Sequence, residues 1–420
     1  MTPEIKTRIE QIRRGEMPEG YQKTTLGIAP ELWNKSRIDK ICRLSSGSTP
    51  RRDNAENFKG EVLWVTSGEL KKRIIWDTQE KINNAAVANS HLKIYNPGTV
   101  VIAIYGLEAA GIRGTTSIIG KQSTISQACM AFTEFKGINN EFFYYWYLNN
   151  GQVIGLRYAQ GTKQQNLSAE IVGAFPICFP DIKEQQKIVG ILTTQDEIIE
   201  LKEKLMAEKQ RQKKYLMQQL LTGKKRLPGF SGEWRFPKAK EIFRSVTDKD
   251  HDGNLMVLSS TQDKGIVPRD EVDIDIKYDT SSLINYKKVC KGHFVISLRS
   301  FQGGIEYSTY TGLVSPAYTV LTPKRVISDE YYKQYFKSTD YIMRLNVAVY
   351  GIRDGKQISY EDFGRLWIPY PPIEEQIVIA EVLSTADREL DLLRQDIEQE
   401  KQKKKALMQL LLTGIVRVNV

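Results

Sequence analysis

Four short segments hold the side chains best suited to chemistry: STPRRDN at 48–54, GTKQQN at 161–166, LRSFQGG at 298–304 and GIRDGKQ at 351–357. Their Lys and Arg can meet phosphate, their Arg, Gln and Asn can bond base edges, and their glycines let backbone approach a ligand closely. The candidate contacts are Ser48, Thr49, Arg51, Arg52, Lys163, Gln164, Gln165 and Asn166 in the first half, and Arg299, Ser300, Arg353 and Lys356 in the second. A solvated surface loop has the same composition, so placement must separate the two readings.

Other chemistries find no pattern. IYGLEAAGIRGTTSIIG at 104–120 lacks the GxxxxGK[ST] spacing of a phosphate-binding loop. Cys42, Cys129, Cys178 and Cys290 are too far apart for a CxxC pair, and of His91, His251 and His293 only His251 has acidic neighbours, in a KDHDG stretch that reads as a polar turn. No Ser, Cys or Asp stands out with a base and an orienting group, and YPP at 370–372 lacks the preceding Asp or Asn of a [DNS]PP[YF] methyltransferase site. No catalytic, cofactor-binding or metal-binding residue is expected. Phe142, Phe143, Tyr144, Tyr145, Trp146 and Tyr147 could stack on bases. Their helical setting, repeated around Tyr331, Tyr332, Tyr335 and Phe336, favours a buried helix face instead.

The elements that position the loops follow from a repeat. At an offset of 191, residues 182–223 align without a gap on 373–414, and 17 of 42 positions are identical. In the first stretch Ile188, Leu192, Gln195, Ile199, Lys202, Met206, Lys209, Lys213, Leu216 and Leu220 follow alternating steps of four and three. Ile379, Leu383, Ala386, Leu390, Leu393, Ile397, Glu400, Lys404, Leu407 and Leu411 do so in the second. Each is one long helix with a coiled-coil-like stripe whose middle is polar. Gly223 and Gly414 stand where such helices would end, and FP at 179–180 and YPP at 370–372 stand just before each start.

Ahead of each helix lies a mixed block, where VLWVTSGEL at 62–70, TVVIAIYG at 99–106, LMVLSS at 255–260 and HFVISLRS at 293–300 read as strands. They recur in order: PGTVVIAI matches KGHFVISL at an offset of 194, and ISQACMAF matches VSPAYTVL at 189. The expected fold is therefore α+β, two globular α/β-mixed domains joined by two long helices that form a coiled-coil-like spacer. By segment this gives an N-terminal helical stretch 1–22 that could join the bundle, a first globule 23–181, a helix 182–223, a second globule 224–372, a helix 373–414 and a tail 415–420.

A chain of 420 residues with 41% hydrophobic and 26% charged content is an ordinary globular protein with two or three cores, not a disordered one. Its net charge of +10 favours a polyanionic partner. The two helical stretches carry +2 and −3, so the excess belongs to the globules. The N-terminus has no signal-like apolar run and no segment approaches the ~20 apolar residues of a membrane span, so a cytoplasmic protein is expected.

The whole chain resembles the specificity subunit of type I restriction-modification enzymes. The resemblance rests on SSGSTPRRDN, WVTSGEL, PGTVVIAIYG, EFFYYWYL, GTKQQNLS and FPDIKEQQKIVGIL, then FVISLRS, EYYKQYF, GIRDGKQIS and YPPIEEQIVIAEVL, in that order. It implies that each globule is a target recognition domain reading one half of a split, asymmetric double-stranded DNA site, and that the helices pack antiparallel and fix the gap. It further implies two DNA methyltransferase subunits docked on the helices, with Glu184, Gln185, Leu216, Leu220, Glu375, Gln376, Leu407 and Leu411 as partner-binding candidates. Two restriction/motor subunits complete the implied complex. S-adenosylmethionine, ATP and magnesium would serve adenine methylation, translocation and cleavage on those partners, with no catalysis by this chain. The second globule departs from the first at STPRR, where VTDKDHDGN stands instead, as expected if the halves read different bases. The competing reading is a nucleic-acid-binding or coiled-coil scaffold outside restriction and modification.

Overall fold

The computed structural model describes residues 3–418 apart from 26, 110, 161–164, 263, 273–279, 299 and 349–357. The chain forms two compact units, Met1–Leu201 with Ile397–Val420, and Lys202–Asp396. Each unit is thus one globule, the part of a long helix that adjoins it, and a part of the other long helix. Boundaries drawn along the sequence separate globules from helices. The folded units join them, because each globule packs its core onto helix from both repeats.

In the first unit, a five-stranded sheet runs in the order Arg43–Ser46, Cys129–Thr133, Val100–Ala103, Thr116–Ile119, Ile74–Ile75. The first four strands pair antiparallel and the last pairs parallel. Val100 to Ala103 are all fully buried, the mark of a strand covered on both faces. Helix Asn140–Tyr158 packs against this sheet, its start capped by the Asn139 side chain, which accepts from the Glu141 and Phe142 amides. All six consecutive aromatics from Phe142 to Tyr147 are buried, in one core with Ile188, Leu192, Met408, Leu411 and Leu412 of the long helices. Residues 142–147 of the helix are apolar on every side because this stretch lies between sheet and spacer, as the buried-face reading requires.

The second unit repeats this plan with a four-stranded antiparallel sheet, Phe243–Val246, Thr319–Pro323, Phe294–Ile296, Glu306–Tyr307. The registers match position by position. Arg43 faces Thr133 as Arg244 faces Thr322, Val101 faces Ala131 as Val295 faces Val320, and Val100 faces Ile118 as Phe294 faces Tyr307. A one-residue slip would turn every side chain to the wrong face, so shared register is stronger evidence of duplication than shared letters.

The long helices span Ile182–Leu220 and Ile373–Leu411, 39 residues each, or about 58 Å at 1.5 Å per residue. The chain leaves both helices through a glycine in the left-handed region, Gly223 at φ +72° and Gly414 at φ +71°. A Cβ at Gly414 would lie 2.5 Å from the Pro30 ring, and one at Gly223 3.0 Å from the Trp234 ring, so glycine is needed there for space as well.

The stripe of fours and threes faces inward along both helices, buried or half-buried throughout. Within the second unit Lys202 pairs with Asp396 at 2.8 Å, Lys209 with Glu389 at 2.6 Å, and Lys213 with Asp387. Within the first, Gln195 donates to Glu400 at 2.7 Å and Lys404 pairs with Asp196 at 2.6 Å. In the second unit partner numbers fall as residue numbers rise, and in the first Glu184 meets Arg417, just past the other helix, while Gln195 meets Glu400, so the helices run antiparallel in each unit. Asp196, Asp387, Glu389 and Asp396 lie beside the stripe rather than on it and supply the countercharge that its polar middle needs.

The N-terminal stretch is a helix, Pro3–Arg13, with no buried residue. Arg8 donates to the Ile415 carbonyl at 2.9 Å and lies 5.0 Å from the Tyr21 ring centroid. It is fastened at the C-terminal tail rather than inserted in the helix pair, since its three isoleucines are too narrow a stripe to enclose.

Candidate nucleic-acid interface

The first globule brings the 48–54 loop and the described end of the 161–166 loop, Gln165 and Asn166, to one end of its sheet. Strand Arg43–Ser46 runs into Gly47, whose amide donates to the Cys129 carbonyl at 3.1 Å, and Ser48, whose amide donates to Ile125 at 3.2 Å. A Cβ on Gly47 would sit 2.1 Å from the Ile125 oxygen, so only glycine permits this exit. Strand Val100–Ala103 ends beside the same segment, the Ile104 amide donating to Ala128 at 2.9 Å. Leu167 then donates to Ile104 at 2.8 Å, and Leu107 to Gln165 at 3.1 Å, which draws the 165–167 stretch to that edge.

The adjacent arginines do different things. Arg52 grips Glu80 with both terminal nitrogens, at 2.5 and 2.8 Å, and its guanidinium lies 4.4 Å from the Phe58 ring centroid and 5.0 Å from that of Trp64. The Glu80 hydrogen bond raises the Arg52 pKa, and Arg52 holds the Glu80 carboxyl below its ordinary value. Arg51 is exposed, and its carbonyl accepts from the Asn57 amide group at 3.0 Å, so the backbone is anchored while the side chain stays out. Ser48 and Thr49 are half-buried, and the Ser48 carbonyl accepts from the Trp64 indole at 3.2 Å. Gln165 takes a hydrogen bond from Arg113 on its side-chain oxygen. Asn166 exchanges backbone bonds with Gln160, both at 2.9 Å. Asn166 Oδ1 and Arg113 Nε lie out of solvent contact without an intrachain hydrogen bond, leaving polar capacity unused at this edge.

The second globule differs at the equivalent end. Strand Phe243–Val246 leads into a loop with Asp248, Asp250 and Asp252, where His251 Nδ1 accepts from the Gly253 amide at 3.2 Å and Nε2 meets the Tyr286 carbonyl at 2.9 Å. This is the polar turn expected of KDHDG. Ser300 is enclosed and locally bonded. It is 1% exposed, and its hydroxyl accepts from the Ser297 amide at 2.9 Å, because a short hydroxyl satisfies nearby backbone before anything distant. Lys163, Gln164, Arg299, Arg353 and Lys356 lie outside the described residues.

The partner-binding candidates lie in or against the cores. Glu184, Gln185, Glu375 and Gln376 have no exposed surface. Arg417 meets the Glu184 carboxylate with two bonds of 2.6 Å, and Arg226 meets Glu375 likewise, joined there by the Trp234 indole at 2.8 Å. Gln185 accepts from the Asn139 amide at 2.7 Å and donates to Pro180 at 2.8 Å, while Gln376 accepts from Ser328 at 2.9 Å and donates to Pro371 at 2.8 Å. Each Glu-Gln pair therefore ties the start of one long helix to the capped aromatic helix of its globule and to the chain leaving the other long helix. Leu220 and Leu411 are core, and Leu216 and Leu407 are packed against it. Arg226 and Arg417 were missed. They stand three residues past the paired glycines, at the same offset of 191, and extending the repeat comparison beyond the helices would have found them.

Two globules of one register, each with a loop-bearing sheet end and each keyed to a shared antiparallel helix pair, define a tandem recognition protein with a helical spacer. A family model for the type I restriction modification DNA specificity domain matches residues 30–211 and again 213–402, and the chain belongs to this family of specificity subunits. It is 24% identical over 417 residues to the type I restriction enzyme MjaVIII specificity subunit of Methanocaldococcus jannaschii, covering 93% of this chain and 94% of that one. It is 26% identical over 188 residues to the MjaIX specificity subunit of the same organism, where the match spans 42% of the relative's length. Among solved structures, the S subunit of a type I restriction-modification system from M. genitalium shares the fold with a TM-score of 0.53 at 14% identity, covering 90% of this chain and 96% of that one. A chain solved in work on complex assembly and conformational transition of the type I R-M system gives 0.59 at 18% identity, covering 92% and 99%.

Proposed function

We propose that this chain reads a split, asymmetric double-stranded DNA site, each globule taking one half, while the helix pair fixes the gap. The observation that carries this reading is the contrast within identical register: equivalent strands end in STPRRDN in one globule and in TDKDHDGN in the other. The same scaffold presented twice with different side chains suits two different half-sites. A helix of ~58 Å matches about 17 base pairs at ~3.4 Å rise, an upper scale for the distance between readings.

In this reading two methyltransferase subunits dock on the helices and two restriction/motor subunits complete the complex. S-adenosylmethionine, ATP and magnesium serve those partners, and this chain performs no catalysis. With the Glu-Gln pairs buried, docking falls to outward helix faces. Leu201 and Leu392, equivalent in the repeat, are 64% and 66% exposed, which suits two copies of one apolar partner surface. No described helix is long and apolar enough to cross a membrane, and a cytoplasmic site of action follows from the DNA partner.

Methylome sequencing of the host with and without this gene tests the proposal. One bipartite adenine-methylated motif should vanish on deletion. Unchanged modification in an otherwise active system would leave a scaffold role instead.

A further inference from the structure

A second repeated device links each globule to the helix pair. In the first unit the Tyr145 hydroxyl donates to Asp196 Oδ2 at 2.7 Å, while Lys404 Nζ lies 2.6 Å from Asp196 Oδ1. In the second the Gln334 side-chain amide donates to Asp387 Oδ2 at 2.7 Å, while Lys213 pairs with Asp387 Oδ1. Asp196 and Asp387 are the same repeat position, as are Lys213 and Lys404, and Tyr145 and Gln334 correspond at the offset of 189 that relates the globules. A phenol and a carboxamide share little except a donor at the end of the side chain. Both nevertheless reach the same oxygen of the same carboxylate, so the bond recurs although the residue does not.

Each aspartate stands on one long helix and touches two other bodies at once: the aromatic helix that backs the globule's sheet, and a lysine on the opposite long helix. The aspartate carboxylates are part-exposed, at 20% for Asp196 and 38% for Asp387, and the lysines are more enclosed, at 17% and 18%. These are charge-assisted bonds in a partly dry seam. Burial, and after it the Asp196 charge, raises the Tyr145 pKa, which keeps the hydroxyl protonated and the direction of donation fixed.

We propose that Asp196 and Asp387 are positioning residues that set the angle of each globule on its own stretch of the helix pair, and through that angle the number of unread base pairs the protein accepts. The lever is adequate. For a globule of radius roughly 20 Å, a tilt of about 10° carries a loop at the far edge by about one base-pair rise of ~3.4 Å. The Glu-Gln pairs fix where each globule is attached, and the aspartates add the second point that an orientation needs. This inference rests on the bipartite reading above.

The experiment uses the full chain assembled with its own methyltransferase, and DNA substrates carrying the native half-sites with the native gap or a gap one base pair longer or shorter. The variants are Tyr145→Phe and Gln334→Met, which remove one donor and keep the side-chain volume, and Lys404→Met and Lys213→Met, which remove the other arm. Half-site sequences should stay as in the wild type, while methylation of the altered-gap substrates relative to the native gap rises roughly tenfold, the order expected from losing one charge-assisted hydrogen bond. Folded Tyr145→Phe and Gln334→Met proteins that keep wild-type gap selectivity, even with a lowered melting temperature, overturn the proposal, because a contact that only stabilises would behave so. Failure of the bipartite reading shows separately: the wild-type protein would then have no gapped motif against which to score any variant.

Discussion

The two halves of this chain agree where they are joined and differ where they end. Arg226–Glu375 and Arg417–Glu184 have the same two bonds of 2.6 Å, Gln185 and Gln376 serve equivalent helix caps, and the sheets share their register. At the strand ends the first half puts Arg51 and Arg52 and the second puts Asp248, Asp250 and Asp252. Joints must meet geometric demands that are the same in both units, whereas reading loops are free to diverge if their targets do. Sameness therefore marks architecture, and difference marks specificity.

The sharpest way to break this equivalence is at the joints. Replacing Glu184 or Glu375 with alanine leaves an arginine beside a dry pocket without its counter-ion, a loss of about 3 kcal/mol each, at the low end for buried pairs because both arginines still reach water. Hydrogen exchange should show the loosening in the altered unit, near Asn139 for Glu184→Ala and near Ser328 for Glu375→Ala. Equal protection changes in both units would mean that the joints are not independent. Next in size is docking. Leu201→Asp and Leu392→Asp should each weaken methyltransferase binding by about 2 kcal/mol, the level of an interface hot spot, and calorimetric titration should show one site of two affected in each variant. Full binding by both variants would remove these faces from the interface.

Much of this plan was legible in the sequence, and the reasons for the gaps are physical. The long helices were legible because steps of four and three over 42 residues leave no other element, and their ends because glycine is the residue that leaves a helix left-handed. The globules' shared strand order was legible because the offset holds within each matched strand and changes only between strands, which places the insertions in loops. What could not be read was direction. Glu184 and Gln185 repeat at Glu375 and Gln376, and repetition alone does not say whether a polar side chain looks out toward a partner or in toward an arginine that arrives from 233 or 149 residues away. The same holds for Ser300, whose hydroxyl finds a backbone amide within one turn, a choice the letters do not show. Arg51 and Arg52 look alike in sequence, and only the position of Glu80, Phe58 and Trp64 tells the clamp from the free cation.

That difference between neighbours gives the next prediction. Arg52→Ala should lower the stability of the first unit by about 1 kcal/mol, the sum of a modest surface pair and two ring contacts. Arg51→Ala should leave the melting temperature unchanged and reduce DNA affinity about equally for all sequences, with a salt slope smaller by about 1. Stability loss in Arg51→Ala together with unchanged DNA binding would reverse the assignment.

The smallest expected effect separates the halves by pH. His293 corresponds to Thr99 at the offset of 194, and both follow a turn closed on the residue three earlier. Thr99 gives its hydroxyl to the Asn96 carbonyl at 2.8 Å, whereas His293 Nδ1 accepts from the Cys290 amide at 3.2 Å. Burial lowers the His293 pKa, opposed in part by Asp248 and Asp329. The unfolded chain then binds more protons than the folded one between the ordinary imidazole value of about 6.5 and the lower folded value. This contribution is fully present above ~6.5 and is lost as pH falls through that window. Acidification from neutrality should therefore weaken the second unit more than the first, and His293→Thr should remove that part of the difference, as followed by unit-resolved hydrogen exchange at pH 7 and pH 5. If the slope persisted in His293→Thr, the acid sensitivity would fall to Asp252 of the Asp248–Asp252 turn, whose carboxyl the Asn254 hydrogen bonds hold below its ordinary value, and the divergence of the halves at their reading edge would carry a cost in stability as well as a change in target.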